Sequence, residues 1–170
     1  MKEITSGFTL VEILVSLSVL GVLVSVGVPP LLSFMEDAQL NGDTNDMYYS
    51  LFLARSEAVT RNSTVSLCKI NPNSPDNCAN SESWQSGWIA FVDPDADGVR
   101  DAGETILNVY AGMKINSAVS SADFANFISY LPSGSTNTNG TINICINSNV
   151  AQDIFINATG HPRVSDSVCP

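Results

Sequence analysis

Residues 8–28 read FTLVEILVSLSVLGVLVSVGV. At a rise of about 1.5 Å per residue, this run spans roughly 31 Å, the thickness of the hydrocarbon layer of a bilayer. It is apolar on every side, whereas a helix on the surface of a soluble domain keeps a polar face. The run is too long for the core of an ordinary signal peptide, and no small-x-small cleavage site with a polar mature start follows it. The sequence predicts a membrane-spanning helix over 8–30, in preference to the buried helix of a soluble protein. Glu12 interrupts the run. A carboxylate in hydrocarbon costs about 2.5–3.5 kcal/mol on insertion scales and needs a partner. The segment holds no Lys or Arg. The partner is therefore water, a headgroup reached from a shallow depth, another chain, or a free amine.

Ahead of the run stands Met1-Lys2-Glu3-Ile4-Thr5-Ser6-Gly7. A short polar leader ending in Gly7, then Phe8, then Glu12 at the fifth position of the apolar run, resembles the class III prepilin signal of type IV pilins and type II secretion pseudopilins. The resemblance implies that residues 1–7 are a leader, cut after Gly7 by a prepilin peptidase, and that Phe8 becomes N-methylated. It also implies that Glu12 pairs with the N-terminal amine of a neighbouring subunit, which would supply the missing partner.

Pro29-Pro30 follow, and a kink or a locally melted turn is expected there because proline removes a backbone donor. Beyond them the sequence turns amphipathic over 31–61. Leu40, Thr44, Met47, Leu51, Ala54 and Ala58 step by four and three along one helical face, while Asp37, Asp43, Asp46, Arg55 and Arg61 fall largely off it. Such a face needs a cover, and the rest of the chain must supply it. Ala54-Arg55-Ser56-Glu57-Ala58-Val59-Thr60-Arg61-Asn62 with Val65-Ser66-Leu67-Cys68, then Gly87-Trp88-Ile89-Ala90-Phe91-Val92-Asp93 and the later Gly160, resemble the FimT/GspH group of minor pilins and pseudopilins. The fold implied is α+β, the type IV pilin fold: a long N-terminal helix packed on a small antiparallel β-sheet domain occupying the remainder of 31–170.

The sequence after the helix agrees with that expectation. Short β-rich runs at 64–69, 88–92, 105–110, 127–131, 141–146 and 153–157 are separated by Asn, Ser, Gly and Pro clusters, as in an antiparallel sheet. Alternation places Ile142, Ile144 and Ile146 on one face, toward the helix. The stretch 133–140 reads as a low-complexity turn or loop. Four cysteines, Cys68, Cys78, Cys145 and Cys169, fit an exported domain and allow three pairings. Pairing of neighbours, Cys68 with Cys78 and Cys145 with Cys169, is the expected arrangement. It closes an Asn- and Pro-rich loop and staples the C-terminal end to a strand. No Cys-x-x-Cys occurs, which disfavours redox catalysis and zinc.

Residues 93–104 read Asp-Pro-Asp-Ala-Asp-Gly-Val-Arg-Asp-Ala-Gly-Glu. Oxygen donors stand at positions 1, 3, 5, 9 and 12 with glycine at 6, the pattern of an EF-hand calcium loop. Asp93, Asp95, Asp97, the Val99 carbonyl, Asp101 and Glu104 are the candidate calcium ligands. The flanks read as strands, not as the paired helices of an EF-hand. The same residues also suit an Asp/Gly hairpin turn whose side chains cap backbone amides. Both readings stand at this point.

Charge narrows the function. Hydrophobic residues make up 44% of the 170-residue chain and charged residues 14%; the net charge is −10, and residues 31–170 carry 15 acidic against 6 basic side chains. An acidic surface does not attract nucleic acid or anionic lipid in general. FimT-type pilins, which the chain resembles, carry a C-terminal Gly-Arg-x-Arg motif that contacts DNA. The matching residues here are Gly160-His161-Pro162-Arg163, with the first arginine replaced, so DNA binding through Arg163, with Lys114 and Arg100, is disfavoured. His161 is the one histidine and reads as a turn or surface residue. No phosphate loop, nucleophile elbow or His-Glu-x-x-His is present, so no enzyme and no cofactor beyond the calcium of the acidic loop is expected. The resemblance implies a minor type IV pilin joining a pilus through its N-terminal helix, in an assembly, priming or tip role. A type II secretion pseudopilin of the H type is the alternative. Its partners would be other pilins or pseudopilins, the prepilin peptidase and the bacterial inner membrane, which it would cross once with its globular domain in the periplasm.

Overall fold

The computed structural model of the chain describes residues 7–113, 116–147 and 150–169; leader residues 1–6 and Lys114 lie outside the described residues. The chain divides into a unit ending at Asp37 and a second running from Ala38. Both contain part of one α-helix, α1, Leu10–Arg61, of 52 residues. Thr9 starts it. Its hydroxyl accepts the Glu12 amide at 3.2 Å and its carbonyl accepts the Ile13 amide at 3.3 Å, so one of the orphan amides of the first turn is satisfied.

In the first unit the apolar side chains of α1 are exposed, from Leu10 and Val11 through Leu31 and Phe34. An 18-residue window has a mean hydropathy of 2.4, and the helix is long and apolar enough to cross a membrane. Its serines do not disturb this character. Ser16, Ser18, Ser25 and Ser33 turn their hydroxyls back to the carbonyls of Glu12, Leu14, Val22 and Pro30 at 2.8–3.1 Å, so these four hydroxyls are satisfied within the helix. The expected melted turn at Pro29-Pro30 is not found: α1 continues across both positions. Each proline removes one amide donor from the helix, and α1 runs on without them.

In the second unit the predicted stripe is the buried face of the helix: Leu40, Thr44, Met47, Leu51, Ala54 and Ala58 are all buried. Among the described residues nine strands follow: β1 Val65–Asn71, β2 Ser74–Cys78, β3 Gly87–Val92, β4 Ile106–Ala111, β5 Ser117–Ser120, β6 Phe127–Tyr130, β7 Gly140–Ile146, β8 Val150–Ile156 and β9 Pro162–Ser167. The six β-rich runs of the sequence are β1, β3, β4, β6, β7 and β8. The strands β2, β5 and β9 were not read from it. All pairings are antiparallel. One sheet runs β2-β1-β3-β4 with β6 also on β1, and the other runs β5-β7-β8-β9.

The helix stripe, Val65 and Leu67 of β1, Trp88 and Ala90 of β3, and Ile142, Ile144, Ile146, Ile154 and Ile156 of β7 and β8 form one core. Both sheets thus bury their inner faces with the same helix face. Cys68, Ile70, Ile89 and Phe91 form a smaller cluster, alternating along β1 and β3 with the residues of the main core. Both core indoles find acceptors: the Trp88 indole donates to Ser50 at 2.8 Å, and the Trp84 indole to the Phe124 carbonyl at 2.9 Å. Asp43, expected off the stripe, is buried and accepts the Ser117 hydroxyl of β5. The disulfides are Cys68–Cys78 and Cys145–Cys169, the expected pairing, with Cα–Cα separations of 5.5 and 5.6 Å.

The stretch 133–140 is a built turn. Leu131 and Ser135 close it by a backbone bond of 2.9 Å, Arg55 of α1 donates to the Gly134 carbonyl at 2.9 Å, and Thr136 is buried.

Candidate functional site

Two regions carry the functional residues read from the sequence. The first is the start of α1. Gly7 and Phe8 precede the helix and are exposed, and Phe8 offers its ring to the surroundings. Thr9-Leu10-Val11-Glu12 has the spacing of a capping box, with Thr9 as N-cap and Glu12 at the third helical position. A carboxylate there also faces the positive end of the helix dipole. The capping spacing gives Glu12 a local reason to exist that the sequence reading did not contain. The Glu12 carboxylate itself accepts no hydrogen bond from the described residues and pairs with no cation among them. The cap uses the backbone and leaves the charge free.

The second region is the connection between β3 and β4, residues 93–104. Asp93 closes β3 against β1, its amide donating to the Thr64 carbonyl at 2.9 Å. It is fully buried. Its Oδ2 accepts the Ser66 hydroxyl at 2.5 Å and the Gly98 amide at 3.1 Å, and Ser66 contacts Ser129 of β6 at 2.7 Å. Ser66 has one proton, which goes to Asp93, so Ser129 donates to Ser66. Burial, the largest influence, lifts the Asp93 carboxyl above the usual carboxylate range; the Ser66 and Gly98 bonds oppose this and Asp95 adds to it. Oxygens of Asp93, Asp95 and Asp97 lie within 4.8 Å of one another.

The other candidate ligands are placed differently. Asp97 also caps its own turn, accepting the Val99 amide at 2.7 Å. Glu104 accepts the Asp101 amide at 2.8 Å. Neither Asp101 nor Glu104 joins the three-carboxylate group, and the Val99 side chain is exposed. Burial raises the Glu104 carboxyl, opposed by the Asp101 amide and reinforced by the charges of Asp93, Asp95 and Asp101. The loop thus gathers positions 1, 3 and 5 of the twelve-residue pattern, while positions 9 and 12 close a small turn of their own. Gly98 has φ +73°, and a Cβ on it would stand 2.2 Å from the Phe127 ring. The loop is packed on β6 as well as on β1.

The matches to known proteins fit this architecture. A family model described as Type II transport protein GspH matches residues 43–160, and one described as the prokaryotic N-terminal methylation motif matches residues 5–28. The chain belongs to the GspH family. This is a family of type IV pilin-like structural subunits, minor pilins and pseudopilins, whose members assemble with other pilins into pili or pseudopili. Comparison with curated protein sequences gives no match. Among solved structures, the type IV minor pilin FimU of Pseudomonas aeruginosa superposes with a TM-score of 0.60 at 19% identity, over 79% of this chain and 92% of that one. The minor pseudopilin EpsH from the type 2 secretion system of Vibrio cholerae gives 0.53 at 13% identity, over 75% and 97%. At these identities the two structures establish the shared pilin fold.

In this GspH-family chain the methylation motif covers Gly7, Phe8 and Glu12 together, and with the apolar helix it marks a membrane-anchored subunit. Of the C-terminal motif positions, Gly160 and His161 lie in the turn between β8 and β9, and Pro162 and Arg163 begin β9. Gly160 has φ +77°, and a Cβ there would lie 2.1 Å from the Gly134 carbonyl oxygen. His161 is exposed, its amide donating to Asn157 at 3.0 Å. Arg163 is exposed on β9. The other described cations are dispersed and engaged. Arg55 donates to Gly134, buried Lys69 donates to the Asn80 carbonyl at 3.0 Å, Arg100 donates to the Glu104 carbonyl at 3.3 Å, and Arg61 pairs with Glu57. A phosphate backbone needs several converging cations, and the described residues of this family member gather no such set.

Proposed function

We propose that the chain is a minor subunit of a type IV pilus, stored in the bacterial inner membrane with its globular domain in the periplasm and assembled through α1. A prepilin peptidase cuts after Gly7, Phe8 becomes the methylated N-terminus, and the Glu12 carboxylate pairs with the Phe8 amine of a neighbouring subunit. The observation that carries this reading is the apolar run 8–28, its described side chains exposed, whose one carboxylate, Glu12, has no partner among the described residues of its own chain. In hydrocarbon such a charge persists when an opposite charge meets it in good geometry. A neighbour's terminal ammonium is the group that processing creates. Thr9 supports the arrangement by fixing the first turn, so the carboxylate leaves the helix at a set position. Two disulfides suit an oxidising compartment. The role is structural, in keeping with the pilin-like family to which the chain belongs.

The type II secretion pseudopilus is the second reading, favoured by the description of the family model itself. Deleting the gene in its host separates the two. Loss of surface pili with normal protein secretion supports the pilus, and the reverse supports the pseudopilus. Sheared filaments test the mechanism common to both. The tagged wild-type chain should sediment with the filaments, and the Glu12→Ala chain should stay in the membrane at an undiminished amount. Wild-type levels of Glu12→Ala in the filaments would refute the pairing.

A further inference from the structure

The filament role does not explain the β3–β4 loop. Asp93 is 0% exposed, yet its Oδ1 has no hydrogen-bond donor. Asp95 and Asp97 bring their own carboxylates to within 4.8 Å of it and of each other. Three negative groups therefore converge where water does not reach the innermost. No described Lys, Arg or His forms an ion pair with any of them. Arg100, the nearest cation in sequence, turns its Nη2 to the Glu104 carbonyl and its amide to the Cys78 sulfur. A buried acceptor without a donor and an uncompensated cluster of like charge are each unfavourable. Together they describe a site completed by a positive ion with a preference for oxygen.

We infer that Asp93, Asp95 and Asp97 form a calcium site in the globular unit. The sequence spacing allows it and the folded geometry selects its members. The alternating positions 93, 95 and 97 send three hard oxygens to one point, and calcium accepts such irregular oxygen shells at 2.3–2.6 Å with water filling the rest. Magnesium demands near-octahedral geometry and holds its water more firmly, so it fits less well. The Glu104 carboxylate is taken by the Asp101 amide, neither residue joins the cluster, and the bidentate carboxylate that tightens an EF-hand is absent from it. The site is accordingly a weak one, in the range of about 10⁻⁴–10⁻³ M that suits extracellular modules. Its effect is to fix the loop. Asp93 is tied through Ser66 to Ser129, and Gly98 is seated on Phe127, so an ion on Asp93 joins the β3–β4 connection to β1 and β6.

The test uses the full chain in detergent micelles, stripped with a chelator and then titrated with calcium chloride by calorimetry. Thermal unfolding is followed by tryptophan fluorescence. The expected result is one calcium per chain and a melting temperature that climbs with calcium up to about 10 mM, above the weak end of the extracellular range. Magnesium at the same concentration should shift it less. Asp95→Asn with Asp97→Asn, both at exposed positions, should weaken calcium at least tenfold while the calcium-free protein melts no lower than the wild type. Asp76→Asn, outside the loop, should bind normally. Absence of binding heat with unchanged melting overturns the site, as does undiminished binding by the double variant. If the loop is tightened by acid and not by calcium, a proton shared between Asp93 and Asp95 takes the ion's place and the inference fails.

Discussion

Gly160 and Gly134 meet at a point where a side chain has no room. Gly160 adopts φ +77°, and its missing Cβ is what allows the Gly134 carbonyl to approach, while that carbonyl also accepts Arg55 of α1. Gly160→Ala should cost at least about 1–3 kcal/mol from left-handed strain alone, with the clash added, and lower the melting temperature of the full chain in detergent. An unchanged melting temperature would show that the turn relaxes freely. The sequence marks this glycine but not its reason. The C-terminal motif suggested a ligand contact, and the geometry shows a turn packed on a second turn 26 positions earlier in the chain. Asp43 has a similar history. An aspartate beside an apolar stripe reads as solvent-facing, and the Ser117 hydroxyl that buries it comes from a strand far along the chain. Thr9 shows the opposite case. A capping box is a local pattern, legible from four residues, but the pull of the prepilin leader on the same positions hid it.

At the scale of elements, α1 was the most legible part, because a 3.6-residue period and an apolar run are strong signals. The six recognised strands carry β-branched and aromatic residues. The three missed strands hold few or none: β2 has neither type, and β5 and β9 have one valine each, Val119 and Val164. Strand β2 reads SPDNC and is strand-like because the Cys68–Cys78 disulfide and β1 hold it. Strand β5 is only four residues, SAVS. Strand β9, PRVSDS, lies at a sheet edge with most of its side chains exposed, so polar residues and a leading proline are tolerated. The helix stripe gives a direct prediction. Leu51→Ala, at a fully buried position, should lose about 2–5 kcal/mol in denaturant unfolding. Phe52→Ala, one position on and 54% exposed, should stay within about 0.5 kcal/mol. Equal losses would mean that the assigned face is wrong. Removing the disulfide that links β7 to Cys169 by Cys145→Ser with Cys169→Ser should cost about 2–5 kcal/mol in the same measurement. A cost near zero would show that β9 docks without it.

At the scale of the whole molecule, one chain carries two environments. Up to Asp37 it exposes apolar side chains, and from Ala38 onward it buries them in a core that serves both sheets. The globular unit needs the second half of α1 to close that core. Amide exchange should therefore find α1 from Leu40 to Ala58 and the inner strands β1, β3, β7 and β8 protected to a common level, with β2 and β9 exchanging first. Faster exchange in that part of α1 than in the strands would contradict a shared core. The first half of α1 exposes its apolar side chains. The account of its use rests on Gly7, Phe8 and Glu12. The most direct test is mass spectrometry of the N-terminal peptide of the full chain recovered from membranes of cells that also express a prepilin peptidase. The predicted peptide begins at Phe8 and carries one added methyl group, and a mature chain that still begins at Met1 would contradict the account.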